Sequence, residues 1–383
     1  MSATVRLPDG AYTLSGAGGE HAVPGAPFTS RVAYAAAHVV ADPRAENVPG
    51  APAAVDWDAT LAFRRHLWSY GFGVAEAMDT AQRGMGLDYP TARELVRRSA
   101  AAARAEGGAI CAGVATDQLP AGPATLDEIR KAYAEQLADV QEAGVRPVLM
   151  CSRHLAATAR SAEDYLDVYG RLIDDADDPV VLHWLGPAFD PALAGYWGDG
   201  DPAGAADTVV ALIAGHRGKV DGIKLSLLDE EFEVALRRRL PAGVRLYTGD
   251  DFNYPALIRG DAQGHSDALL GVLAAIAPPA AAALRALDTG DLAGYDRLLA
   301  PTLPLARHLF GAPTFYYKTG IVFLAWLAGH QDHFTMVGGL QSGRSPAHLA
   351  RLLRLADAAG LLPDAELAAH RARAYLTTAG VAQ

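Results

Sequence analysis

The chain has 383 residues, of which 50% are hydrophobic and 20% charged, and its net charge is −11. These figures exclude a disordered or fibrous chain and fit either roughly two or three average domains or one α/β barrel with additions. The acidic balance excludes general nucleic-acid binding, which needs a basic footprint, but leaves room for a local basic pocket.

Residues 1–27 are rich in Gly and Pro and predict a short hairpin or loop leading into the main body. They lack a charged segment followed by an apolar one, so no signal peptide is expected. From Ser30 onward, short apolar runs alternate with Ala-, Leu- and Arg-rich helical stretches. The runs are Val32–Val40, Gly73–Met78, Ala109–Val114, Val145–Cys151, Pro179–Leu185, Val220–Leu225, Val244–Thr248 and Ala268–Val272. They lack polar alternation, as parallel strands covered on both faces do. Between them, Asp56-Trp57-Asp58 opens a helix to about Ser69, with Gly71 as its stop. Pro90-Thr91 starts the next. Thr125-Leu-Asp-Glu has the pattern of a capping box, and Ser161-Ala-Glu-Asp repeats it before a helix to about Asp174.

Eight strands alternating with helices predict a closed (β/α)8 TIM barrel over residues 28–280, with a doubly wound open sheet as the alternative. Residues 281–383 are helical throughout: Ala280–Leu299, Pro301–Phe310, Phe315–Ala328, Pro346–Ala359 and Asp364–Leu376. This C-terminal helical extension is expected to pack on the barrel. No apolar run reaches the roughly 20 residues of a membrane span, and Gly320–Gly329 reads as a buried helix. The two cysteines, Cys111 and Cys151, lie in apolar runs and form no disulfide framework, so a cytoplasmic protein is expected.

A TIM barrel keeps its active site at the C-terminal ends of its strands. That rule selects His38, Asp79, Thr80, Thr116, Asp117, Ser152, Arg153, His154, His183, Trp184, Lys224, Ser226, Asp250, Asp251, His265 and Asp267. One of them is a lysine. Only four of the 33 basic residues are lysines, namely Lys131, Lys219, Lys224 and Lys318. Lys131 sits in a helix, Lys219 precedes a strand and Lys318 begins a tail helix. Lys224 alone lies within a barrel strand, flanked by Val220, Ile223 and Leu225. Apolar surroundings favour the neutral amine, which can attack a carbonyl to form a Schiff base; arginine cannot. The competing reading pairs the lysine with Asp250 or Asp251.

The segment Gly222-Ile223-Lys224 resembles the Schiff-base strand of the dihydrodipicolinate synthase and N-acetylneuraminate lyase superfamily of class I aldolases. Further motifs follow in the same order. They are Val55-Asp56-Trp57 with Gly71-Phe-Gly-Val, Ala112-Gly113-Val114, Gln141-Glu-Ala-Gly144 with Val148-Leu149-Met150, Val181-Leu182-His183, Thr248-Gly249-Asp250-Asp251 and Ala268–Pro278. Phe315-Tyr-Tyr-Lys318 resembles the start of the family's C-terminal bundle. The resemblance spans about residues 28–330. It implies a lyase, an aldolase or dehydratase, acting on a 2-oxo acid, and the acidic surface and hydroxyl-compatible strand ends suggest one derived from a sugar. It also implies a covalent Schiff base on Lys224 in place of any metal or other cofactor, and a dimer or tetramer. Nucleic-acid and membrane partners are not expected.

The chain departs from that pattern at several places. The family's Gly-Thr-Thr-Gly-Glu loop is replaced by Asp79-Thr80-Ala81-Gln82-Arg83, in which Thr80 alone matches, and Asp79 and Thr80 are expected to bind the substrate carboxylate or a hydroxyl through side chain and backbone. The family's tyrosine after strand four is missing, and Ser152-Arg153-His154-Leu155 stands there. His154 and His183 are the expected proton carriers, since imidazole titrates near neutral pH. Each could instead hydrogen-bond at a strand end. Arg153 is expected to grip a carboxylate, or else to form a surface ion pair. Asp250 and Asp251 are expected to tune Lys224 or bind hydroxyls, or to cap a helix; His38 is expected to donate a hydrogen bond. Glu76, inside an apolar strand, is either a core ion pair or a site residue. An insertion of about residues 186–207 carries Tyr196 and Trp197, as a site cover or as packing. His330 and His333 have metal-like types but read as a solvated helix end. Two further readings are a metal-assisted hydrolase or isomerase using His38, His154, His183 and Asp250, and a non-catalytic binding protein of the same fold.

Overall fold

Eight parallel strands close into a barrel in the order β10-β3-β4-β5-β6-β7-β8-β9. They are β3 (Ala33–Ala36), β4 (Gly73–Glu76), β5 (Ile110–Val114), β6 (Arg146–Leu149), β7 (Val180–Leu185), β8 (Val220–Ser226), β9 (Arg245–Thr248) and β10 (Asp267–Leu270). The computed structural model describes residues 3–18, 25–78 and 83–383. The barrel rather than the open sheet is therefore the fold, and each strand falls within one of the apolar runs.

Alternation along the strands sorts the residues into two packed layers. Tyr34, Ala36, Ala75, Cys111, Val148, Val181, Tyr247 and Leu269 fill the barrel interior. Their neighbours face the surrounding helices and join the larger core. The interior mixes very large and very small residues. Tyr34 and Tyr247 meet edge to face at 6.3 Å. A Cβ on Gly222 would come 2.8 Å from the Tyr247 ring, so only glycine fits opposite it.

The helical layer follows the expected caps. Asp56 accepts from Ala59 N and starts α1 (Trp57–Ser69), and Gly71 stops it at φ 92°. Asp88 caps α2 (Tyr89–Glu106). Thr125 and Glu128 form a complete capping box on α3 (Leu126–Glu142). Two expectations differ. Ser161 makes no capping bond to α5 (Ala162–Asp175), which follows the short α4 (Arg153–Thr158). The stretch read as one helix over residues 280–299 is two, α9 (Ala277–Asp288) and α10 (Leu292–Leu299). Gly290 adopts φ 76° and Asp291 caps the second through Gly294 N, which breaks the helix in between. Between α5 and α9 come α6 (Pro202–Gly215), α7 (Glu230–Arg237) and α8 (Tyr254–Arg259).

The C-terminal part continues with α11 (Thr302–Leu309), α12 (Tyr317–Leu327), α13 (Pro346–Ala358) and α14 (Ala365–Thr378). Every residue of α12 is buried, as a helix apolar on all faces requires. The N-terminal residues form a hairpin, β1 (Thr4–Leu7) with β2 (Gly10–Thr13). It is tied to the C-terminal helices rather than to the barrel. Asp357 of α13 accepts from Tyr12 Oη at 2.6 Å and from Ser15 N and Oγ, and Arg373 of α14 donates to Thr4 O. Among the described residues, no helix is long and apolar enough to cross a membrane.

Candidate active site

Lys224 lies in β8 beside His183 of β7 and Tyr247 of β9, and is 2% exposed. Its stem runs over Gly249: a Cβ there would stand 2.9 Å from Lys224 Cε and 2.1 Å from Ser226 Oγ. Glycine in Thr248-Gly249-Asp250-Asp251 thus makes room for the lysine, with no unusual backbone angle required. His183 is fully buried, and its Nε2 is 3.2 Å from Ser226 Oγ. Burial, followed by the charge of Lys224, holds the imidazole well below its ordinary pKa, so it is neutral near pH 7.

Asp251, just after β9, is buried, as is Asp250 beside it. Its Oδ1 accepts from Val272 N at 2.9 Å. Desolvation pushes its pKa up to about 7, against the Val272 bond and the charges of Lys224 and Lys318, which pull it down. Asp250 does local work: its carboxylate accepts from Phe252 N, Asn253 N and Asn253 Nδ2 and so fixes the loop before α8.

Lys318 is the second lysine at the mouth, and sequence reasoning passed over it as the start of a tail helix. It does begin α12, but it is fully buried, and its Nζ donates to Ala36 O at the end of β3 at 3.1 Å. Next to it, Tyr317 lays its ring over Gly271 and stacks on Phe310 at 4.1 Å. His38, two residues beyond β3, is also fully buried. Its Nε2 meets Gln331 Oε1 at 2.8 Å, while Gln331 Nε2 donates to His333 O. The amide oxygen can only accept, so His38 carries its proton on Nε2. Burial and then Lys318 hold this histidine well below its ordinary pKa. The scarcity of lysine pointed to Lys318 as much as to Lys224. What the sequence did not show is that the tail returns to the barrel mouth.

The other expected site residues have local partners. Ser152 caps α4 through Leu155 N and bonds Thr116 Oγ1 at 2.6 Å. His154 points to the β5–α3 connection, with Nδ1 3.1 Å from Thr116 Oγ1 and Nε2 3.1 Å from Pro120 O. Arg153 pairs with Asp190 at the rim with 55% of its side chain exposed. Both line a small pocket of about 50 Å³ with Arg83, Phe189, Phe315 and Tyr317. Asp79 and Thr80 lie outside the described residues. Arg83 just after them is buried and spans Asp117, Ala77 O, Gly113 O and Gln136, bracing the ends of β4 and β5.

Several alternatives are decided by partners. Glu76 is structural: Arg64 of α1 meets it through two hydrogen bonds, at 2.7 and 2.9 Å, and both side chains are fully buried. Tyr196 and Trp197 of the insertion pack on Tyr165 and Tyr169 of α5 outside the barrel, and Tyr196 Oη accepts from Ser152 N. His330 is no solvated helix end, since its ring packs on Phe63 and His66. Among the described residues, no group of three or more His, Cys, Asp and Glu side chains is arranged to hold a metal ion. Sequence reasoning also missed Glu233 of α7. It is buried against Thr248 and Ser266, and desolvation pushes its pKa up to about 8.

Residues 8–381 match the model of a family described as protein of unknown function (DUF993). The chain belongs to this family. No protein of curated function matches the DUF993 chain in sequence. Its fold has many counterparts among solved structures. A prophage protein of the dihydrodipicolinic acid synthase family from E. coli K12, solved with pyruvate, is 16% identical with a TM-score of 0.67, over 86% of this chain and 99% of that one. Dihydrodipicolinate synthase from Aquifex aeolicus is 13% identical with a TM-score of 0.64, over 87% and 99%. The 4-hydroxy-tetrahydrodipicolinate synthase of Methylacidiphilum fumariolicum SolV is 17% identical with a TM-score of 0.64, over 88% and 99%. The superfamily resemblance read from the motifs thus holds at the level of the fold.

Proposed function

We propose that this DUF993 protein is a Schiff-base-forming lyase acting on a 2-oxo acid through Lys224. The observation that carries the reading is a buried lysine near the C-terminal end of a barrel strand, beside His183 on the neighbouring strand and with its stem over Gly249. The amine adds to the ketone carbon, water leaves, and the iminium draws electrons from the neighbouring carbon. Cleavage or formation of a carbon–carbon bond, or loss of a hydroxyl group, then passes through the enamine.

Protons must move at the carbinolamine and enamine stages. Asp251 suits that task, because a pKa of about 7 keeps both its forms populated. His154 is engaged by Thr116 and Pro120 O, and His183 is held neutral and bonded to Ser226. We therefore give Asp251 the role that the sequence suggested for the histidines, and His183 that of orienting Ser226 beside the amine. The barrel over residues 28–280 would supply the amine, and the helices over 281–383 would close its mouth from the side of α12.

The test is incubation with pyruvate and a panel of sugar-derived 2-oxo acids in the presence of borohydride, followed by mass spectrometry. A reduced adduct on Lys224 is expected. Absence of an adduct across the panel would remove the reading.

A further inference from the structure

His183, Lys224 and Ser226 stand together toward the carbonyl ends of β7 and β8, and all three are buried. Lys224 and Ser226 lie two residues apart on one strand, so they face the same way. Gly222, two residues before the lysine, meets the Tyr247 ring in the barrel interior, which marks that face as the inner one. His183 is the rung partner of Lys224, but its Nε2 reaches one rung further, to Ser226 Oγ at 3.2 Å. Gly249, just after β9, leaves open the space that the other two side chains share. The position of a Cβ on Gly249 would lie 2.1 Å from Ser226 Oγ and 2.9 Å from Lys224 Cε. The lysine nitrogen is one bond beyond that carbon, so the hydroxyl stands beside the reacting end of the chain.

Backbone bonds on both sides hold the hydroxyl there. Ser226 O accepts from Gly186 N at 3.0 Å, and Leu225 O accepts from Gly249 N at 2.7 Å. A hydroxyl has one hydrogen to give and two lone pairs to receive. With the His183 proton on Nε2, the ring fills one lone pair. The hydrogen and the second lone pair then suit two neighbours that must exchange a proton. Attack of an amine on a ketone creates such a pair. The nitrogen–carbon bond forms, the carbonyl π electrons move to oxygen, and the nitrogen is left positive while the oxygen is negative. In water a solvent molecule moves the proton between them. At a lysine only 2% exposed, a fixed group serves instead.

We propose that the Ser226 hydroxyl carries this proton, taking it from the Lys224 nitrogen while giving its own hydrogen to the ketone oxygen. The exchange leaves a neutral carbinolamine and restores the hydroxyl, so no net proton is consumed. The later loss of water takes one further proton, the step given to Asp251 above. The inference rests on the Schiff-base reading, and the experiment separates the two. Wild type and Ser226→Ala are mixed with pyruvate, or with the 2-oxo acid of the panel that traps best. Borohydride is added after varied delays, and the Lys224 adduct is measured by mass spectrometry. In Ser226→Ala the adduct should appear about 10²-fold more slowly. Its final level at long delay should stay within about twofold of wild type, because a proton relay lowers the barrier from both sides and leaves the equilibrium alone. That final level also reports that the variant is folded with Lys224 in place. An unchanged rate, or a final level that falls with the rate, would overturn the relay and leave Ser226 a structural partner of His183. No adduct on wild-type Lys224 with any ketone of the panel would overturn the Schiff-base reading and this inference with it.

Discussion

His183 and Lys224 are neighbours across the β7–β8 ladder, and both are sealed from solvent. The charge of one helps keep the other neutral. That relationship makes Lys224 the first residue to change. Lys224→Met should abolish the borohydride-trapped adduct and all turnover. The protein should stay folded, because Asp251, relieved of the ammonium charge, can take up a proton instead of remaining a buried anion. Mass spectrometry and thermal unfolding read the two effects separately. Turnover by a folded Lys224→Met protein would rule out the Schiff base.

Asp251 should govern the pH dependence. Its folded pKa, about 7, lies above the unfolded value near 3.8, so the folded state binds more protons between these limits. By linkage its contribution favours folding at low pH and is lost as pH rises from about 4 to 7. Glu233 has the same sign over about 4.5 to 8. Urea midpoints of Asp251→Asn and Glu233→Gln, set against the wild type, should each lose a negative slope of up to about 1.4 kcal/mol per pH unit in those windows. Only Asp251→Asn should also lower kcat, by about 10²- to 10⁴-fold, and remove the limb of the rate profile near pH 7. An unchanged profile would take the proton-transfer role from Asp251.

The Arg64–Glu76 pair should act on stability alone. Removing one partner leaves a charge buried without its counterpart, at a cost of about 3–5 kcal/mol. Arg64→Met should therefore lower the urea midpoint strongly, while adduct formation by the remaining folded protein is unaffected. A selective loss of adduct formation would return Glu76 to the active site.

Gly249→Ala tests the packing under the lysine. The new methyl would collide with Ser226 Oγ and crowd Lys224 Cε, and a crowded core position costs about 1–3 kcal/mol. Relief needs displacement of these two side chains and a backbone shift away from Leu225 O, which the methyl would approach to 2.8 Å. Adduct formation is expected to slow at least about tenfold, because small misplacements at a reacting group are expensive. An unchanged trapping rate would show that the lysine stem has room to move.

The apolar runs, the Asp56 and Thr125 caps and the place of Lys224 within a strand were all legible in the sequence. Each depends on residues close along the chain, where period and capping chemistry act. The barrel followed, because eight unalternated strands separated by helices need cover on both faces. Direction and distant partnership were not legible. Ser152, His154 and Asp250 stand at strand ends as expected, yet a rotation of one residue decides whether such a side chain enters the mouth or caps a loop. Glu76 needed Arg64 on a separate helix to become structural. Lys318 needed the full turn of the C-terminal helices to reach the carbonyl of Ala36. The sequence by itself determined the barrel and singled out one lysine. Tertiary packing alone brought Lys318 to the end of β3 and Arg64 to Glu76, because contacts between distant segments carry no local period or spacing to announce them.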